Sequence, residues 1–134
     1  MQQIEAESQQ QARIKLVLIY ILHHFKNNLT LEQLAGIACM SPYHFHRLFK
    51  SYTGESVYAY IKKLRLEYAA LCLLKSGEPA TSIALSSGYS NVSAFSKAFR
   101  QYYGVSPQDF RCIDESFFKL NQKSAENSHE WEEV

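Results

Sequence analysis

The stretch 41–54, SPYHFHRLFKSYTG, gathers side chains able to do recognition chemistry. Arg47 carries a rigid fork of N–H donors suited to paired acceptors, and Lys50 carries a compact point charge. His46 can donate or accept according to its tautomer, and Tyr43 offers an aromatic face with a polar tip. Together they suit a surface rich in acceptors and negative charge. Metal chemistry is not expected. His44 and His46 are two apart, so on a helix they point different ways, and the adjacent His23 and His24 make no better pair. No cofactor is expected either.

These residues need a helix to hold them, and its ends are written in. Ser41 can cap the N-terminus, Pro42 suits the first helical position, and Gly54 suits a left-handed exit. Phe45, Leu48, Phe49 and Tyr52 recur at helical spacing and predict a buried face. Tyr43, His44, His46, Arg47 and Lys50 are left on the other side. About fifty residues on, SNVSAFSKAFRQYYG (90–104) echoes this stretch. Phe45 answers to Phe95, Phe49 to Phe99, Lys50 to Arg100, Gly54 to Gly104, Ser56 to Ser106 and Tyr60 to Phe110. Upstream, Leu34 and Ala35 answer to Ile83 and Ala84, one residue out of step. With Ser41 paired to Ser90, the extra residue falls between Ser90 and Phe95. Two copies of one small helical unit are implied.

The chain has 134 residues and a net charge of +1, enough for one domain or two very small ones. The average charge hides a segregation: residues 11–111 hold 12 of 14 basic residues and 5 of 13 acidic ones, a net +7. A basic body between acidic ends fits phosphate binding. Cys39, Cys72 and Cys112 are odd in number and far apart, so neither a disulfide framework nor a thiolate zinc site is indicated. Cys72 reads as a small core residue. Leu16–Leu22 is too short to span a bilayer, and with no signal peptide the expected compartment is the cytoplasm. Glycines sit singly at turns and acids cluster in the tail, so no catalytic constellation is found and the chain is not expected to be an enzyme.

In order, residues 1–11 are polar and expected to be flexible. A helix from about Ala12 to Lys26 carries the stripe Ile14, Val17, Leu18, Ile21, Leu22 and Phe25. Thr30 and Gln33 match a capping box, which opens a short helix with Leu34, Ala35 and Ala38 inward. A turn at Cys39 and Met40 leads to the Ser41 helix, completing the unit 12–55. The linker, 56–76, is one long helix spanning on the order of 28 Å. Its first stripe is Val57, Ile61, Leu64, Tyr68 and Leu71. A second, offset, is Leu66, Ala69, Ala70 and Leu73, so the helix can serve both copies. The second unit, 77–120, turns at Gly88 and carries Phe95, Ala98, Phe99 and Tyr102 inward. Phe117, Phe118 and Leu120 are expected to continue its core. Residues 121–134 form an acidic tail expected to be disordered. The fold class is all-α: two helix-turn-helix units joined by a long linker helix, about seven helices in all.

The combination resembles the AraC/XylS family of regulators. Arg65, Ala69 and Leu73, then Ile83, Ala84, Gly88, Tyr89 and Ser90, then Phe95, Phe99, Gly104, Ser106, Pro107, Phe110 and Arg111 look like its signature. Leu34, Ala35, Ser41, Phe45, Leu48, Phe49, Gly54, Tyr60 and Ile61 match its first half. The likeness covers about residues 29–111. Cys72 stands where leucine is usual, Ala80 where a larger aliphatic often sits, and Tyr89 replaces phenylalanine. The resemblance implies bacterial transcription control, usually activation, with double-stranded DNA and RNA polymerase as partners. SPYHFHRLF is similar to members that carry a GyrI-like effector-binding domain, which this sequence lacks, so an excised DNA-binding part is expected.

By similarity to family members, Tyr43, His46 and Arg47 reach base edges in the first unit. Arg47 then suits guanine O6 and N7, and Tyr43 suits a sugar or a thymine methyl. Asn91, Val92, Ser93, Ser96 and Lys97 occupy the matching places in the second. Lys50 and Arg100 are expected at phosphates, with Thr30, Ser41 and Ser90 as further candidates near helix N-termini. Arg65 is expected to form a structural ion pair. The competing class is a protein-interaction module of the same fold that has lost DNA binding, against which Arg47 and Lys97 argue.

Overall fold

The structure, a computed structural model, describes residues 2–112, with side chains from Ser8 onward. Every regular element among the described residues is a helix, in the order α1 (Gln2–His24), α2 (Leu31–Ile37), α3 (Pro42–Thr53), α4 (Val57–Lys75), α5 (Ala80–Ser86) and α6 (Val92–Tyr103). A further helix, α7, opens at 107 and reaches the last described residue. Two compact units divide the chain between Glu67 and Tyr68, inside α4. The linker expected over 56–76 is therefore shared, each unit taking part of it. The expected tail and Phe117, Phe118 and Leu120 lie outside the described residues.

In the first unit α1 packs across α2 and α3. Its core is Ile14, Val17 and Ile21 from α1, Leu34 and Ala35 from α2, Ala38 beyond it, Phe45 and Phe49 from α3, and Val57 and Ile61 from α4. Phe45 and Phe49 lie 5.7 Å apart, and Tyr60 meets Phe49 edge-on at 5.5 Å. The second unit repeats the arrangement. Ile83, Ala84, Phe95, Ala98 and Phe99 are buried, Phe95 and Phe99 lie 5.7 Å apart, and Phe110 meets Phe99 edge-on at 5.3 Å. Burying each phenylalanine stabilises by roughly 1.5–3 kcal/mol, which makes these pairs the anchors of both recognition helices.

The helix ends follow the local chemistry. Thr30 and Gln33 form both bonds of the capping box, each at 3.1 Å. Ser41 accepts from the His44 N–H, while Ser56 and Ser106 cap α4 and α7 through the N–H groups of Ala59 and Asp109. Gly54 and Gly104 are left-handed at φ of 80° and 82°, and each donates back to the carbonyl four residues earlier at 2.8 Å.

Several expectations are corrected. α1 begins at Gln2 and not at about Ala12; Gln, Glu and Ala are good helix formers, so the polar segment carries the helix on toward the N-terminus. Leu22 is 56% exposed, because the buried face narrows to Ile14, Val17 and Ile21. Tyr52 and Tyr102 are exposed: they share the angle of the buried phenylalanines but lie past the last of them, in the final turn. Along α4 the first stripe fades from buried Val57 and Ile61 through half-buried Leu64 and Tyr68 to exposed Leu71, while Leu66, Ala69, Ala70 and Leu73 are all buried. Cys72 is half-buried, and Cys39 and Cys112 are exposed.

The register of the repeat also changes. Cys39 and Gly88 are both left-handed, at φ of 56° and 103°. Met40 N–H bonds to Ala35 and Tyr89 N–H to Ala84, so up to this point the offset is 49. Ser41 caps α3, but Asn91 caps α6, accepting from Ser93 and Ala94 N–H, so from the caps onward the offset is 50. Ser90 is the inserted residue, and Ser41 answers to Asn91.

Candidate nucleic-acid interface

The corrected register fixes which outer residues correspond. On α3, Tyr43, Arg47 and Lys50 follow one another at helical spacing opposite Phe45 and Phe49, and all three are exposed. His46, one step round the helix, is half-buried, and exposed His44 lies on the far side of Arg47. On α6, Ser93 takes the place of Tyr43, Ser96 of His46, Lys97 of Arg47 and Arg100 of Lys50. Burial agrees pair by pair, Ser96 being half-buried like His46 and the others exposed. The two cation types are thus exchanged: Arg then Lys on α3, Lys then Arg on α6.

The remaining sequence candidates separate by what their polar atoms already do. Thr30 and Ser41 use a hydroxyl oxygen as an acceptor in their caps, and a hydroxyl has a proton left to donate. Asn91 Oδ1 takes the Ser93 N–H at 2.7 Å and the Ala94 N–H at 3.2 Å, leaving its amide N–H2 as the outward-facing chemistry. Val92, in the place of Pro42, is half-buried at the first helical position. Ser90 lies before the cap and is exposed, so the helix N-terminal role suggested for it passes to Asn91.

Within α3 the guanidinium of Arg47 lies over the Tyr43 ring, with Cζ 5.8 Å from the centroid. This is inside the range of a cation–π contact. Lys63, by contrast, is engaged with Glu55 at 2.9 Å and also lies over the Tyr60 ring.

Two arginines that sequence reasoning underread tie distant backbone segments within each unit. Arg65 Nε donates to the Phe25 carbonyl at 2.7 Å and Nη2 to the Asn27 carbonyl at 2.8 Å. Through these two carbonyls it braces the chain just after α1. Arg111 does the same after α4, donating to the carbonyls of Leu73, Ser76 and Glu78. The two are not repeat partners, since Arg111 answers to Ile61, one turn before Arg65. Their appearance in the family-like signature was the available signal; spacing alone does not reveal a bond across some forty residues.

Among the described residues no three His, Cys, Asp or Glu side chains gather where they could hold a metal ion, and no helix is long and apolar enough to cross a membrane.

A helix-turn-helix domain model matches residues 34–112, more than half of the chain. The chain belongs to the AraC/XylS-type helix-turn-helix family. It is similar to the regulatory protein PocR of Salmonella typhimurium, at 37% identity over 118 residues, covering 88% of this chain and 36% of that protein. Among solved structures it resembles the DNA-binding domain of AdpA in complex with a target DNA, with a TM-score of 0.72 and 28% identity over 75% of this chain and 91% of that one. The C-terminal domain of AraT, a response regulator from Geobacillus stearothermophilus, is likewise similar, with a TM-score of 0.71 and 36% identity over 75% of this chain and 84% of that one. The chain spans about a third of PocR, as it does of the Haemophilus influenzae regulator it also matches. AraC/XylS-type membership accounts for the fold and for the paired helices α3 and α6.

Proposed function

We propose that this chain binds double-stranded DNA in a sequence-dependent way, using α3 and α6 as recognition helices, and regulates bacterial transcription. One observation carries the reading: both helices present two cations three residues apart, directly opposite a buried phenylalanine pair, in the same register. A helix so anchored can enter a major groove with its cationic side toward the DNA. The similarity to the AdpA domain, solved with its target DNA, supports it.

In this reading Arg47 and His46 read bases from α3, with Tyr43 beside Arg47 on the same exposed face, and Lys97, Ser93, Ser96 and Val92 read bases from α6. Lys50 and Arg100, three residues further along each helix, meet phosphates, joined by the hydroxyls of Thr30 and Ser41 and the free amide of Asn91. Ser90 is assigned to neither group. Action on a promoter would set the protein in the cytoplasm, with RNA polymerase and an effector-responsive domain as its proposed partners. The proposed activity is binding and not catalysis.

The test begins with selection of sites from random duplexes, which should converge on one preferred sequence. Arg47→Ala should then cost ~1–3 kcal/mol on that sequence and relax the preference at one base position. Lys50→Ala should weaken all duplexes alike, and its slope of log K against log salt should become shallower by about 0.9. Failure to select any sequence, or identical behaviour of the two variants, would overturn the assignment of base and phosphate roles.

A further inference from the structure

We infer that Tyr43 acts through Arg47, as a plate that holds the guanidinium for base reading, and does not read a base of its own. The inference rests on the proposed DNA reading and deepens it. Tyr43 is 74% exposed in the first turn of α3, and its ring receives the Arg47 guanidinium at 5.8 Å, one turn further along. An exposed aromatic placed so is not explained by packing.

The geometry suits an arginine that must present its edge. A cation–π contact pairs none of the guanidinium N–H groups with an acceptor atom, so they remain available for the acceptors of a base. An ion pair would consume the donors needed for a base. A long exposed arginine otherwise samples many rotamers, and ordering them opposes binding. The contact with Tyr43 restricts that freedom before the encounter, the usual gain from preorganisation.

The second unit provides an internal contrast. Ser93 stands in the place of Tyr43, and Lys97 in that of Arg47. There is no plate there and no planar fork to hold. At these two matched positions plate and fork occur together in one unit and are replaced together in the other, as expected if the tyrosine serves the arginine.

The experiment measures the affinity of Tyr43→Phe, Tyr43→Leu, Arg47→Ala and the Tyr43→Leu/Arg47→Ala double variant. Each is tested on the selected duplex and on duplexes changed singly at every position. Tyr43→Phe keeps the ring and should keep the wild-type preference. Tyr43→Leu should lose about two- to fivefold, at the same base position that Arg47→Ala relaxes. The double variant should be no worse than Arg47→Ala. Grafting Ser93→Tyr with Lys97→Arg should sharpen a base preference contributed by α6. The inference is overturned if Tyr43→Leu relaxes a different position, if its loss adds fully to that of Arg47→Ala, or if it changes nothing. A wild-type chain that selects no site sinks the DNA reading itself, and that outcome is visible before any variant is made.

Discussion

Replacing Arg65 with methionine keeps most of the aliphatic stem and removes the two bonds that brace the end of α1. Both bonds come from a charged donor, at 2.7 and 2.8 Å, and such bonds contribute ~1.5–3 kcal/mol each. Arg65 is half-buried and Asn27 is exposed, so water can take over part of the lost bonding. Discounting toward the lower end gives a loss of about 2–3 kcal/mol, a large share of the ~5–15 kcal/mol that folds a small domain. At ~4–8 °C per kcal/mol, the melting temperature should fall by roughly 10–20 °C. Arg65→Lys can restore at most part of this, because a single ammonium does not reproduce the fork that spans both carbonyls. Urea unfolding measures the loss, and amide hydrogen exchange near residues 23–27 should locate it at the end of α1. Measured where the variant is still folded, DNA affinity and its salt slope should match the wild type. The reasoning is refuted if stability changes by less than ~0.5 kcal/mol. An unchanged stability with uniformly weaker DNA binding and a shallower salt slope would make Arg65 a phosphate contact instead.

Two backbone positions allow equally direct checks. At Gly54 and Gly104 an added Cβ meets nothing within 4 Å, yet φ is +80° and +82°, so Gly54→Ala and Gly104→Ala should each cost about 1–2 kcal/mol from conformation alone. A cost above ~4 kcal/mol by urea unfolding would point to a steric conflict that the structure does not contain. Cys39 is an exposed non-glycine residue at φ 56°, in the place where the second unit has Gly88. Cys39→Gly should therefore stabilise by about 0.5 kcal/mol, the left-handed penalty outweighing the extra freedom of glycine in the unfolded chain. A destabilisation of comparable size would show that the thiol contributes packing after all.

Features decided within one turn of helix were legible without the fold. The capping box at Thr30 and Gln33, the Ser41 cap, the stops at Gly54 and Gly104 and the paired phenylalanines each depend on neighbours at most four residues away. So does the cationic face of α3, because helical spacing alone puts Arg47 and Lys50 opposite Phe45 and Phe49. The repeat was visible for the same reason, since two copies of one local pattern give the same elements twice. The helix over residues 2–11 was legible in principle, but its polarity was weighed above its propensity.

What the tertiary structure decided is where each apolar stripe stops being covered, and which distant groups meet. Leu22, Tyr52, Leu71 and Tyr102 sit at acceptable angles on their helices yet are exposed, because burial depends on where the neighbouring surface ends and not on periodicity. The choice of Asn91 over Ser90 as the α6 cap turns on one residue in a turn, where two adjacent polar residues are equally good caps by type. It nevertheless resets the correspondence of the outer faces, bringing Ser93 and Lys97 into the places of Tyr43 and Arg47. Arg65 and Arg111 find their carbonyls 33 to 40 residues away. No local pattern encodes such a bond, since it exists only once packing has brought two helix ends beside a guanidinium.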